Sequence, residues 1–206
     1  SVRVVALRGA GKDFCAGMDL EELLASADQT VEDNRQTALR FGGLFLRMRT
    51  LPKPVVAVVQ GRALAGGCGL ATACDLVVAS ASAQLGYPEV QRGFVPALVM
   101  NMLRRAVGEK VAFDLAATGR LVSAQEAERI GLVSRVFADA VFEPQVDEVL
   151  RGLAGISVSA LALTKQQFYA LDGVSFADGI RLSADVNAVS RTTPDFRSAI
   201  ATFLKR

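Results

Sequence analysis

The sequence contains no histidine, no tryptophan and only three cysteines in 206 residues. Each shortage closes off chemistry. Without histidine, neither a Ser-His-Asp nor a Cys-His nucleophile can be assembled. Cys15, Cys68 and Cys74 stand at no metal-ligand spacing and have no histidine to complete a zinc set. No metal site is therefore expected. An odd, sparse cysteine count fits a reducing compartment better than a disulfide scaffold, so a cytoplasmic location is expected. No apolar run approaches the roughly 20 residues that span a bilayer. No basic stretch followed by an apolar one opens the chain as a secretion signal would. Excess charge of one sign is also lacking. Lys and Arg number 23 against 21 Asp and Glu, for a net charge of +2. That balance gives nucleic acid no basic footprint. The expectation is thus no membrane and no nucleic-acid partner.

What is abundant is apolar: 51% of residues, against 21% charged. That excludes disorder as a description of the chain. At this length, one folded unit should expose about 9,000 Å² and bury about 70% of the extended chain's surface.

Short β-branched runs alternate with helical patterns. Val2–Leu7, Pro54–Val59 and Leu76–Ala79 read as buried strands, each near a glycine or turn. Gln84–Tyr87 and Leu132–Phe137 read as two more. Near-continuous apolar strands predict a sheet covered on both faces. Over 30–51, Ala38, Phe41, Leu44, Phe45, Met48 and Leu51 recur at helical spacing. Ser123 with Glu126 forms a capping box, and Gly131 can close that helix in a left-handed conformation. Beyond 140 the pattern is almost wholly helical: 140–154, 157–171, 175–191 and 194–204, the last opened by Thr193-Pro194. The division predicted is an α/β core over 1–138 and a helical region over 139–206.

Three segments could carry chemistry, and a fourth fails to. Arg8-Gly9-Ala10-Gly11-Lys12-Asp13 follows a strand as a phosphate loop would. Its early glycine is instead Ala6 or Leu7, and Asp13 stands where Ser or Thr should bind magnesium. It reads as a glycine turn. Phe14-Cys15-Ala16-Gly17-Met18-Asp19-Leu20 is a run of small residues in which Gly17 permits a turn that aims the Met18 amide into a cleft. Ala65-Gly66-Gly67-Cys68-Gly69 opens an Ala-rich helix and leaves main-chain N–H groups unpaired. Gly86-Tyr87-Pro88-Glu89-Val90 supplies a carboxylate. Partly buried, it would have a raised pKa suited to acid–base work. Read singly, each segment is equally an ordinary turn, a close-packed helix start or an exposed Glu.

Together, Phe-Cys-Ala-Gly-Met-Asp-Leu, Ala-Gly-Gly-Cys-Gly-Leu-Ala-x-x-Cys-Asp-Leu and Leu-Gly-Tyr-Pro-Glu-Val resemble the crotonase superfamily, also called the enoyl-CoA hydratase/isomerase family. Arg105–Ala112, Thr118–Ala127 and Gly131–Val136 resemble it too, so the likeness covers essentially the whole chain. The resemblance implies a spiral of ββα units followed by a helical C-terminal region, built into a homotrimer or homohexamer. It implies an acyl-CoA thioester as ligand, CoA entering as part of the substrate, and no separate cofactor. It places the oxyanion hole at the N–H groups of Met18 and Gly66, and the acid–base group at Glu89. Ala16, Gly17, Gly67 and Gly69 would line the substrate. Lys205 and Arg206 would be candidates for the CoA phosphates.

The departures shape the reaction. Hydratases of the family use two glutamates; here the first position is Gly69 and only Glu89 remains. One carboxylate suits a double-bond isomerase, with hydratase as the alternative and a non-catalytic acyl-CoA-binding protein as a further one. Ala97 stands where the family's dehalogenase carries its nucleophilic Asp. The loop Val95–Met100 keeps the family's proline but lacks its glycines and is one residue shorter, which predicts a reshaped apolar pocket. Family members also carry a strand-rich opening segment before Val2. Without it, one sheet edge would be uncovered.

Overall fold

The computed structural model describes residues 2–205. Among the described residues, seven strands form two sheets. β1 (Val5–Arg8), β2 (Val55–Val59), β4 (Leu76–Ser80) and β7 (Arg135–Phe137) make a parallel sheet in the order β1-β2-β4-β7. β3 (Arg62–Leu64), β5 (Gln84–Gly86) and β6 (Leu121–Ser123) make the second, with β3 and β5 parallel and β6 antiparallel to β5. The chain passes from one sheet to the other and then into a helix, giving the ββα spiral: β2, β3, α3 (Gly66–Thr72), then β4, β5, α4 (Ala97–Val107) and α5 (Glu109–Thr118). The intervening helices of the first turn are α1 (Leu20–Ala25) and α2 (Val31–Thr50), and α6 (Ala124–Arg129) links β6 to β7.

The two-residue period of β2 explains its wholly apolar sequence. Val55, Ala57 and Val59 point into the larger core with Phe45, Leu85, Tyr87 and Leu103. Val56 and Val58 point the other way, with Val78, onto Phe142, Val146 and Val149 of α7 (Phe142–Gly155). A strand buried on both faces cannot alternate with polar residues. The helical tail continues as α8 (Val158–Ala170), α9 (Phe176–Ser190) and α10 (Pro194–Phe203). α8 is anchored by Lys165, whose Nζ donates to Met48 O, Lys53 O and the Asp75 carboxylate at 2.7, 2.9 and 2.7 Å.

Several expectations need correction. The first strand begins at Val5, not Val2, and its burial alternates, so the sheet is covered on both faces at β2 but not at its edge. The strand expected over Leu132–Phe137 is confined to 135–137, because Leu132 and Val133 sit in the core as a loop. β3 and β6, three residues each, are additional to the expected strands. Accessible surface is 12506 Å², well above the roughly 9,000 Å² expected of a compact chain of this size.

Candidate active site

The Gly9–Asp13 loop is a structural turn. Asp13 accepts from the Arg62 side chain and amide, and a Cβ on Gly9 would lie 2.1 Å from Asp13 O. Beyond it, the chain docks beside β3. Cys15 N donates to Arg62 O at 3.1 Å and Leu64 N donates to Cys15 O at 2.9 Å. This brings the small-residue segment against the start of α3. Gly17 has φ +102°, and a Cβ there would lie 3.1 Å from Ala65 Cβ and 3.7 Å from Gly66 N. Asp19 then caps α1 by accepting from Glu21 N and Glu22 N. The Met18 side chain is exposed, so what this turn fixes is its amide. Ala16 is exposed on the same segment.

The second amide is aimed by a strained residue. Ala65, at φ 52° and ψ −129°, is the only non-glycine with positive φ among the described residues. Its N–H donates to Gly86 O at 2.9 Å and its carbonyl accepts from Gly69 N at 2.9 Å. The twist turns the chain sharply out of β3, leaving Gly66 N–H at the first helical position. Neither Met18 N–H nor Gly66 N–H donates to another backbone group among the described residues. Strain of this kind costs about 1–3 kcal/mol and persists where surrounding structure enforces it.

Glu89 lies in a 3-10 turn, Pro88–Arg92, three residues after the Gly86 that pairs with Leu64. Its side chain is buried, with the residue only 8% exposed, and Oε2 has no hydrogen-bond partner. Burial pushes its pKa above the ordinary 4.5; its own N–H and the charge of Arg92 offset this only in part. Behind it, the Tyr87 hydroxyl donates to Thr72 Oγ1 at 2.6 Å, since the Thr72 hydroxyl is committed to Cys68 O at 2.8 Å. Burial pushes the Cys68 thiol up to about 11 and that of Cys74 up to about 12. Neither is a thiolate at neutral pH.

The structure thus brings Gly17, Met18, Gly66 and the Glu89 turn to one end of the β3–β5 pair. Gly67 and Gly69 are placed differently. Both are buried in packing contacts. A Cβ on Gly67 would lie 2.2 Å from Cys15 O, so this glycine lets the two segments touch. A Cβ on Gly69 would lie 2.0 Å from Val99 Cγ1 and 3.9 Å from Phe45 Cζ. The direction in which a residue 69 side chain would project is therefore filled by α4. Lys205 is exposed just past α10, and Arg206 falls outside the described residues. No group of three or more Cys, Asp and Glu side chains is placed to hold a metal among the described residues. A groove of about 460 Å³ runs between β1 and α7 past Val2, Val4 and Leu150, and shares no residue with this site.

Two residues of the site carry no signal in the sequence: Ala65 and Val99. An alanine gives no sign of a positive φ, and Val99 is one apolar residue among several in a shortened loop.

The enoyl-CoA hydratase/isomerase family model matches residues 1–205. The chain belongs to that family. A Thermus thermophilus protein that carries an enoyl-CoA hydratase name is 46% identical over 205 residues, which is 100% of this chain and 81% of that protein. The 2,3-dehydroadipyl-CoA hydratase of Escherichia coli is 32% identical, over 100% of this chain and 79% of its own length. The crystal structure of an enoyl-CoA hydratase from Mycobacterium smegmatis superposes with a TM-score of 0.94 at 31% identity. That match covers 99% of this chain and 79% of the other. The fold is therefore the crotonase fold, with its helical C-terminal region.

Proposed function

We propose that this member of the family binds an acyl-CoA thioester and stabilises its enolate. The N–H groups of Met18 and Gly66 receive the thioester oxygen. Each such donor typically lowers the barrier by about 3–4 kcal/mol, because the hydrogen bonds strengthen as negative charge develops. Glu89 moves the proton. The observation that carries this reading is the buried Glu89 carboxyl with one unpartnered oxygen, joined through the β3–β5 pair to the Gly66 amide. Ala16 and Gly17 form the main-chain wall beside the thioester, and Gly67 lets that segment pack against α3.

With Gly69 in place of a second carboxylate, the most economical reaction is isomerisation of a 3-enoyl-CoA to the 2-enoyl form. Glu89 takes the proton from C2, the double bond shifts from C3–C4 to C2–C3, and the same proton returns at C4. CoA enters as part of the substrate, and no separate cofactor takes part. The hydratase names of the relatives favour a second reading, addition of water to a 2-enoyl-CoA. A non-catalytic acyl-CoA-binding role is the third. We place the protein in the cytoplasm, as a homotrimer or homohexamer. Neither nucleic acid nor membrane enters this reading as a partner.

Exchange of the α-proton of a bound acyl-CoA in deuterated water separates enzyme from binding protein. Glu89→Gln should slow exchange at least about 100-fold. Equal, slow exchange in both proteins would leave only binding. Offering 3-enoyl-CoA and 2-enoyl-CoA separately then ranks the two reactions: rapid hydration of the second with no turnover of the first would put hydration ahead of isomerisation.

A further inference from the structure

One face of α3 meets an apolar wall contributed by two other helices. Gly66 and Gly69 are three residues apart and share that face. A Cβ at Gly66 would lie 3.6 Å from the Phe41 ring, and one at Gly69 would run into Val99, with Phe45 behind it. Phe41 and Phe45 pack edge to face, ring centroids 4.7 Å apart, one turn from each other on α2. Leu98, beside Val99 on α4, closes over Gly42 of α2. Val99 is itself buried and is held by this packing. The 2.0 Å approach is to Val99 Cγ1, with the branched Cβ itself at 3.0 Å, and both lie inside van der Waals contact on a rotamer-limited side chain. A small adjustment cannot relieve it.

The geometry points to Val99 as the residue that decides between proton transfer and water addition. Its side chain occupies the volume a carboxylate at position 69 would need, and it keeps that flank of the site apolar. Gly69 and Val99 are then a complementary pair: the glycine exists because the valine fills its side-chain space. Hydration requires that a water oxygen bond to C3 as the C2–C3 double bond is consumed, with one water proton taken by a base and another proton delivered to C2. That base would be a carboxylate at residue 69 or, once the space is opened, Glu89 acting through a water held there. With Val99 in place, Glu89 alone shuttles the proton and no oxygen is added. This rests on the acyl-CoA reading above.

The test is the product ratio from 3-enoyl-CoA and 2-enoyl-CoA in four proteins: wild type, Val99→Ala, Gly69→Glu and Gly69→Glu/Val99→Gly. Folding of each is checked by circular dichroism and thermal melting. The wild type should isomerise and hydrate little. Gly69→Glu alone should melt lower and gain no hydration. The double variant should raise the ratio of hydrated to isomerised product at least 100-fold. Val99→Ala, which leaves the backbone and Gly69 intact, should raise it at least fivefold, so the idea stays testable if the double variant does not fold. Rapid hydration by the wild type would overturn the role of Val99 while leaving the acyl-CoA reading intact. So would an unchanged ratio in a folded Val99→Ala. Absence of any turnover or α-proton exchange in the wild type would instead overturn the acyl-CoA reading, and this inference with it.

Discussion

Two residues carry the site's cost in stability, and both make predictions. Ala65 holds a conformation natural to glycine. Ala65→Gly should relieve the strain and stabilise the fold by about 1 kcal/mol. For a chain of this size that is roughly a 2–4 °C rise in Tm. Glu89 is the second. Its folded pKa lies above the ordinary value of 4.5 because burial disfavours the charge. Between those two values the native state holds more protons than the unfolded chain. Stability attributable to this group therefore falls as pH rises through that window. Glu89→Gln should be more stable than wild type at neutral pH and show no such advantage at pH values below 4.5, as read from urea midpoints at both ends. The same substitution abolishes the proposed proton transfer, so stability and activity should move in opposite directions at this one position.

At the scale of elements, the decisive link is the buried Lys165 on α8. It ties that helix to the end of α2 and, through Asp75, to the start of β2, where Val55 N donates to the same carboxylate at 2.6 Å. The Tyr169 hydroxyl completes the set by donating to Asp75 Oδ1 at 2.8 Å. Lys165→Met would leave two carbonyls and part of the half-buried Asp75 carboxylate unpaired. A loss of about 3–5 kcal/mol is expected, measured by urea unfolding. No pattern in the sequence announces this contact, because Lys165 and Asp75 are 90 residues apart and a lone lysine in a helical stretch reads as solvated. The helices themselves are legible. α2 and α7 to α10 fall within two residues of their expected ends, because capping residues such as Thr30, Ser157 and Thr193 sit where their side chains accept the first amides. The short strands are not. Three residues of β3 or β6 carry no alternation to detect, and they are strands only because β5 lies between them. The glycine segments are legible as a group, yet the reason for Gly69 stays hidden until Val99 is seen opposite.

At the scale of the molecule, the excess of accessible surface has an address. Phe176 and Ile180 on α9, and Phe196, Ile200 and Phe203 on α10, are all exposed and recur at helical spacing. Such stripes are characteristic of faces meant to be covered. If the proposed trimer or hexamer forms, light scattering should give three or six times the mass of one chain, and Phe176→Glu with Phe203→Glu should return it towards the monomer. Within one chain, β3 has a wider consequence. Its three residues, with Ala65 just beyond, hold the Cys15 segment on one side and the Gly86 strand on the other. The two loops and the acid turn are therefore rivets through a single plate. None can loosen while the others stay in place, and a catalyst built this way fails all at once rather than fading by degrees.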